Sequence, residues 1–386
     1  MSGYVKKVKQ SPINIAPRLG GLDIELTERC NNDCIHCCIN LPAKDKAASR
    51  REMSTQHVKE ILADAADLGC LQVRFTGGEP LLRSDFAELY LFARRLGLKV
   101  LVFTNATLIT EKLANLLAHV PPLVLIEITV YGMRKESYEA VTRRSGSFAR
   151  FRRGINLLVE HRVPFVLKAA LLPPNCHEIN ELEAWVDTLP CRDTSLRYSM
   201  FFDLRNRRDD PEKNALIKTL RLTPQEGLAV LTRDAVRYHK NTQEFAEKFM
   251  GPPGDRLFAC GAGKGLCVDA YGRAQPCMGV RVPDLCPDLF ALGGSNRLAA
   301  ALDQMVALRD MRSANPTYLE RCARCFLKGL CEQCPAKSWA EHGNLDTPVD
   351  YFCEVAHAQA QFMGWLKPDE RAWRVANWRE RILHLA

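Results

Sequence analysis

No run in this chain approaches the roughly twenty apolar residues that a membrane-spanning helix needs, which excludes a helical anchor. The first ten residues hold Lys6, Lys7 and Lys9 and no apolar core, so they do not form a secretory signal. Internal repeats and low-complexity tracts are missing too, which excludes a repeat array. Charge of one sign is only in mild excess. The formal net charge is +8, and the basic groups are dispersed in pairs such as Arg50–Arg51, Arg94–Arg95 and Arg152–Arg153. Dispersed charge solvates a surface, so neither nucleic acid nor membrane is expected as a partner. What the chain does have is cysteine, 16 in 386 residues and clustered. Without a secretion signal, clustered cysteines read as metal ligands rather than disulfides, and the expected compartment is the reducing cytoplasm.

The first cluster is Cys30-Asn31-Asn32-Asp33-Cys34-Ile35-His36-Cys37, a C-x3-C-x2-C spacing behind a short apolar run. Three thiolates can hold three irons of a cubane 4Fe-4S cluster and leave the fourth open to an exogenous ligand. Half of a zinc site is the plainer alternative for Cys34 and Cys37, but structural zinc wants four ligands. His36 and Cys38 are expected to pack beside the ligands. Some forty residues on, Arg74-Phe75-Thr76-Gly77-Gly78-Glu79-Pro80 closes another apolar run; alone it would be a turn before a helix. Together the two motifs resemble the radical S-adenosylmethionine (SAM) superfamily. The resemblance implies that Cys30, Cys34 and Cys37 ligate the cluster and that the amine and carboxylate of SAM chelate its open iron. It also implies that Gly77, Gly78, Glu79 and Pro80 cradle the cofactor.

From Leu22 to about Leu204, β-rich runs alternate with helical patterns, the signature of βα units and a parallel sheet. Strands are expected at 22–28, 71–77, 99–105, 123–131, 164–172 and 195–204. Helices are expected near 53–68, 84–96, 111–118, 147–161 and 178–188, with Ser54 and Ser84 as N-caps. Six such units match the family's α/β fold, a partial (β/α)6 TIM barrel with its site at the C-terminal strand ends. Strand alternation sets Glu127, Thr129 and Tyr131 opposite Ile126, Ile128 and Val130. The same logic turns Glu25, Thr27, Thr104, Lys168, Arg197, Ser199 and Asp203 into the lumen. Buried charges are costly unless paired or used, so Glu127, Tyr131, Lys168, Arg197 and Asp203 are catalytic candidates, with internal salt bridges as the plain alternative. By resemblance Thr104, Asn105 and Thr129 flank SAM and Arg143 or Arg144 meets its carboxylate; Ala106 stands where the family's Thr-Asn-Gly pattern has glycine.

After bridging helices at 205–257, the cysteine density rises: Cys260, Cys267, Cys277, Cys322, Cys325, Cys331, Cys334 and Cys353 fall within about a hundred residues. A pair of zinc ribbons would share the C-x2-C spacing. Beside the upstream motifs the segment, 258–356, resembles the cysteine-rich SPASM extension, which carries two auxiliary 4Fe-4S clusters. That implies Cys260, Cys267, Cys277 and Cys334 for one and Cys322, Cys325, Cys331 and Cys353 for the other, although Cys331 and Cys334 are separated by two residues where the family has three. A terminal helix, 357–386, is expected to pack on the barrel, and the extension 1–21 is too short for a leader-binding domain.

The resemblance implies an enzyme that cleaves SAM reductively to a 5′-deoxyadenosyl radical and abstracts hydrogen from a peptide or protein. An oxidase of a small molecule or tetrapyrrole precursor is the second reading. Expected partners are the peptide substrate, a separate leader-binding protein, and an electron donor such as flavodoxin or ferredoxin. Sulfatase-maturating members carry an aspartate after the Cys277 equivalent. Met278 cannot serve as that base, so formylglycine formation would need Asp269 or Asp284.

Overall fold

The computed structural model describes residues 18–190, 196–260, 262–294 and 296–383. Cys191 and most of the 1–21 extension lie outside the described residues. Six strands form the frame: β1 Leu22–Thr27, β2 Gln72–Gly77, β3 Lys99–Thr104, β4 Leu123–Val130, β5 Phe165–Ala170 and β6 Arg197–Ser199. Each pairs in parallel with the next in sequence, so every connection is a crossover carrying helix. The crossover helices are Thr55–Asp67, Phe86–Arg95, Glu111–His119, the pair Lys135–Thr142 and Ser147–Glu160, and Ile179–Asp187. The sheet does not close on itself. It is the expected open α/β barrel of six units, with two helices, Lys46–Arg51 and Lys135–Thr142, that the periodicity did not announce.

Alternation explains the layers. Ile24, Leu26, Val73, Phe75, Val100, Val102, Ile126, Ile128, Phe165 and Leu167 point outward and are at most 2% exposed. They pack beneath Val58, Ile61, Leu62, Leu89, Tyr90 and Ala93 of the helices in one core. Ser54 caps its helix, accepting from His57 N at 3.1 Å. Ser84 does not. The helix starts after Asp85, whose carboxylate is held by Arg83 and Thr55, each at 2.6 Å.

Three features depart from expectation. Strand β6 has three residues, because beyond Ser199 the chain leaves the sheet and packs Phe202 and Leu204 against Ile217 and Leu220 of the helix Pro211–Leu220. A hairpin of β7 Leu266–Val268 and β8 Ala274–Gln275 extends the barrel sheet, β7 lying parallel to β1. The cysteine-rich segment therefore shares its sheet with the barrel. The tail packs elsewhere than the barrel: Trp365 and Ile382 join Phe326, Leu327 and Ala356 in a second core, and Trp378 stacks on Phe326. The boundary expected at 357 falls inside the helix Asp350–Phe362. Among the described residues no helix is long and apolar enough to cross a membrane.

Where the hairpin meets β1, the Arg281 guanidinium lies against Glu25 and, at 3.7 Å, Glu28, with all three side chains buried. Arg207 and Tyr271 close the network on Glu28 at 2.6 and 2.7 Å. A buried carboxylate stripped of its cation is strongly destabilising, whereas an apolar replacement of both partners is not. Arg281→Met should therefore lower stability by about 3–5 kcal/mol, and Glu25→Leu combined with Arg281→Met should recover most of it, as read from denaturation midpoints.

Candidate active site

A cavity of about 740 Å³ opens at the C-terminal ends of the strands. Cys30, Cys34 and Cys37 line one side, Gly77, Gly78, Thr104 and Asn105 the next, and Glu127, Thr129, Tyr131, Lys168, Ser199 and Asp203 the far wall. Gly329, Leu330, Glu332 and Gln359 reach it from the C-terminal segment.

The cysteine loop is fastened by its backbone. Asp33 N donates to Thr142 O at 2.9 Å, and Ile35 N to Val141 O at 3.0 Å. The ends of β1 and β2 meet more closely than side chains would allow. Gly78 N donates to Thr27 O at 2.7 Å and Glu79 N to Arg29 O at 2.9 Å. A Cβ on Gly77, whose φ is 127°, would lie 2.1 Å from Thr27 O, and one on Gly78 would lie 2.4 Å from Arg29 O. Only glycine fits this approach.

Glu79 is wholly buried and accepts from Leu81 N at 3.1 Å, Asn105 N at 2.8 Å and Thr104 Oγ1 at 2.8 Å. Burial pushes its carboxyl up to about 7 against the pull of those donors. It thereby fixes the end of β3, and Asn105 Nδ2 sits 2.9 Å from Asn31 Oδ1 and 3.7 Å from Cys30 Sγ. Asn32 N donates to Cys30 Sγ at 3.4 Å, and the Tyr131 hydroxyl bonds the Cys34 thiol. Burial pushes the Cys30 and Cys34 thiols up, so they are poor anions by themselves and suited to a metal that displaces their protons. The buried side-chain amide of Asn32 has no partner beside them. His36 lines the cavity between Tyr131 and Phe202, its pKa lowered to about 3 chiefly by burial. These residues fit a thiolate-held cluster with a ligand-accepting face toward the cavity.

A second thiol group lies in the C-terminal segment. Cys260, Cys322, Cys325, Cys331, Cys334 and Cys353 line a cavity of about 260 Å³. Burial, with Cys353 as a neighbouring like charge, pushes Cys322 up to about 11 and Cys325 to about 12. Cys260 and Cys277 border another cavity, and Cys334 is an electrostatic neighbour of Cys277. Among the described residues no three His, Cys, Asp or Glu side chains are disposed to hold one metal ion; a cubane instead takes each thiolate on a separate iron.

Residues 24–186 match the Radical SAM superfamily, and that stretch holds both the cysteine loop and the Gly77–Gly78 contact. That stretch is a radical SAM domain. The chain is 24% identical over 348 residues to the antilisterial bacteriocin subtilosin biosynthesis protein AlbA of Bacillus subtilis, covering 84% of this chain and 72% of that one. It is 24% identical over 349 residues to the AdoMet-dependent heme synthase of Methanosarcina barkeri, covering 85% and 94%. The PqqA peptide cyclase of Gluconobacter oxydans is 29% identical over 274 residues, covering 69% and 71%. Two solved structures share the fold. anSMEcpe with bound AdoMet has a TM-score of 0.61 at 16% identity, covering 89% of this chain and 96% of that one. Streptococcus suis SuiB bound to S-adenosylmethionine has 0.60 at 18% identity, covering 84% and 75%.

Within this radical SAM site, several residues stand apart from their expected roles. Glu79 and Pro80 do not line the cavity; Glu79 braces β3 and Pro80 opens a 3-10 turn. Arg143 is half exposed and clasps the cysteine loop, its Nη2 2.7 Å from Asp33 Oδ2, so its guanidinium is turned from the cavity. Arg197, at the start of the short edge strand, is exposed and borders a different cavity. Glu25 faces inward but is held by Arg281 below the cavity floor, and Thr27 is bonded to Glu52. Asp269 is tied to Tyr271 N and Arg273 N at 2.9 Å, and neither it nor Asp284 lines the lumen. Alternation missed Thr76, Phe103 and Glu332; Glu332 comes from a distant segment with no strand period to mark it.

Cys267 is the sharpest departure. It lies on β7, fully buried, with Glu25, Arg281, Asp23 and Asp269 as its electrostatic neighbours. Cys267→Ala should leave the iron content of the reconstituted protein unchanged, whereas Cys334→Ala should lower it by about four irons. Equal losses from both variants in iron analysis would return Cys267 to the ligand set.

Proposed function

We propose that the chain is a radical SAM enzyme that modifies a peptide or protein, using Cys30, Cys34 and Cys37 to hold the SAM-binding 4Fe-4S cluster. With SAM bound, that cluster supplies the one-electron reductive cleavage that yields a 5′-deoxyadenosyl radical. The protein's own part is positional. Gly77 and Gly78 bring β2 against the cysteine loop, Glu79 sets Thr104 and Asn105 beside Cys30, and Thr129 and Lys168, paired in register, carry the far wall. The C-terminal segment adds Gly329, Leu330, Glu332 and Gln359 to the cavity wall, narrowing the access of water to the reacting group.

The observation that carries the peptide reading is the charge of the lumen. Glu127, Asp203 and Glu332 line it against Lys168 alone, and Lys337, 3.1 Å from Asp203 and 2.7 Å from Glu332, balances two of them from behind. A tetrapyrrole bearing several carboxylates needs a surplus of cations. The similarity to AlbA and to PqqA peptide cyclase supports the same choice. The similarity to a heme synthase over most of the chain favours the tetrapyrrole reading as the alternative. Cys260, Cys277, Cys322, Cys325, Cys331, Cys334 and Cys353 suit auxiliary clusters, and the division into an extension at 1–21, a barrel at 22–204, bridging helices at 205–257, a SPASM segment at 258–356 and a terminal helix at 357–386 belongs to this proposal. So do a flavodoxin or ferredoxin as reductant, a separate leader-binding protein and a cytoplasmic setting. None of the fifteen described cysteines is in a disulfide, which suits a reducing compartment.

The anaerobically reconstituted enzyme, reduced and given SAM, should release 5′-deoxyadenosine, and Cys34→Ala should not. Offered precursor peptides encoded beside its gene and, separately, an iron coproporphyrin, it should change the mass of a peptide. Conversion of the porphyrin with every peptide left intact would reverse the choice.

A further inference from the structure

The barrel's open edge carries a second groove. Strand β6 ends the sheet, and among the described residues no strand lies on its outer side. Ser199 O accepts from Leu171 N at 2.8 Å, so Ser199 faces β5. Backbone groups alternate along a strand, so the N–H and C=O of Tyr198 face the free edge. Beside them runs a groove of about 800 Å³, walled by Leu231 and by Tyr238 and Asn241 of the helix Ala235–Phe249. Tyr198 and Leu231 line both this groove and the catalytic cavity, so the two adjoin at these residues.

Four of the groove's six charged side chains pair with one another, and Asp187 and Arg197 also line it. Glu183 accepts from the Tyr198 hydroxyl and lies 2.8 Å from Arg233, and Arg237 lies 3.5 Å from Asp234. What the groove offers a ligand is an unpaired strand edge between walls of mixed polar, apolar and aromatic side chains, which is complementary to peptide backbone. An exposed edge of this kind is a template for an added strand.

We propose that the substrate peptide enters the cavity along this groove as an extended segment that adds to the edge of β6, one of its residues exchanging backbone hydrogen bonds with Tyr198. The inference rests on the peptide reading above and specifies how that substrate is held. Three residues of strand are enough for two hydrogen bonds. These give direction and register to the chain on its way to the cavity without reading its sequence, and the alternate side chains reach the Leu231 wall.

The test uses the full chain, reconstituted with its clusters and supplied with SAM, and linear peptides selected from a random displayed library for binding to it. Hydrogen exchange resolved to single amides should show Tyr198 N–H slowed by a selected peptide. N-methylation along that peptide should weaken binding about tenfold at alternate residues and little between them. Asn241→Trp, an exposed position on the groove wall, should weaken the same peptide by a similar factor. Peptides that bind while Tyr198 exchanges unchanged would overturn the strand-addition proposal and leave the peptide reading standing. A library that yields no binder would count against both. Protection of Tyr198 that grows with protein concentration in the absence of peptide would assign the edge to a second copy of the chain, and would also overturn the proposal.

Discussion

The close approach of two backbones at the top of β1 and β2 is the constraint on which the site depends. Gly78 N on Thr27 O at 2.7 Å and Glu79 N on Arg29 O at 2.9 Å tie the turn after β2 to the start of the cysteine loop. Neither glycine tolerates a Cβ. Because Glu79 is drawn inward by the same contact, its carboxylate meets Asn105 N and Thr104 Oγ1, and Asn105 in turn reaches Cys30 and Asn31. One steric condition thus aligns three strand ends and the first thiol. The motif's acidic residue works through that alignment rather than at the cavity surface.

Much of this was legible in the chain itself. Five of the six barrel strands fall within two residues of where alternation and β-branching put them, since a strand buried under helices on one face writes a period of two. Glu127, Thr129, Tyr131 and Lys168 face the lumen for the same reason. The failures share a cause: they depend on contacts distant in sequence. Strand β6 stops at Ser199 because Phe202 and Leu204 find a better partner in Ile217 and Leu220. Strands β7 and β8 hold three and two residues, too few to show a period, and exist because β1 offers an edge.

The charged residues show the limit most clearly. Arg143 and Arg197 satisfied the pattern of family and face, yet Asp33 draws the first to the outside of the cysteine loop and the short edge strand leaves the second in solvent. Spacing placed Cys267 among the auxiliary ligands, whereas its strand, by pairing with β1, carries it to the Glu25–Arg281 pair. Spacing counts residues along the chain; ligation depends on where the sheet delivers them.

The central claim is that Cys30, Cys34 and Cys37 leave one iron open for SAM at the mouth of the lumen. Electron–nuclear double resonance on the reduced enzyme, with SAM labelled by ¹⁵N at its amine and ¹⁷O at its carboxylate, reads that bond directly. The account predicts hyperfine coupling from both labels, lost in Cys34→Ala. A reduced, intact first cluster that shows coupling to neither label would contradict it.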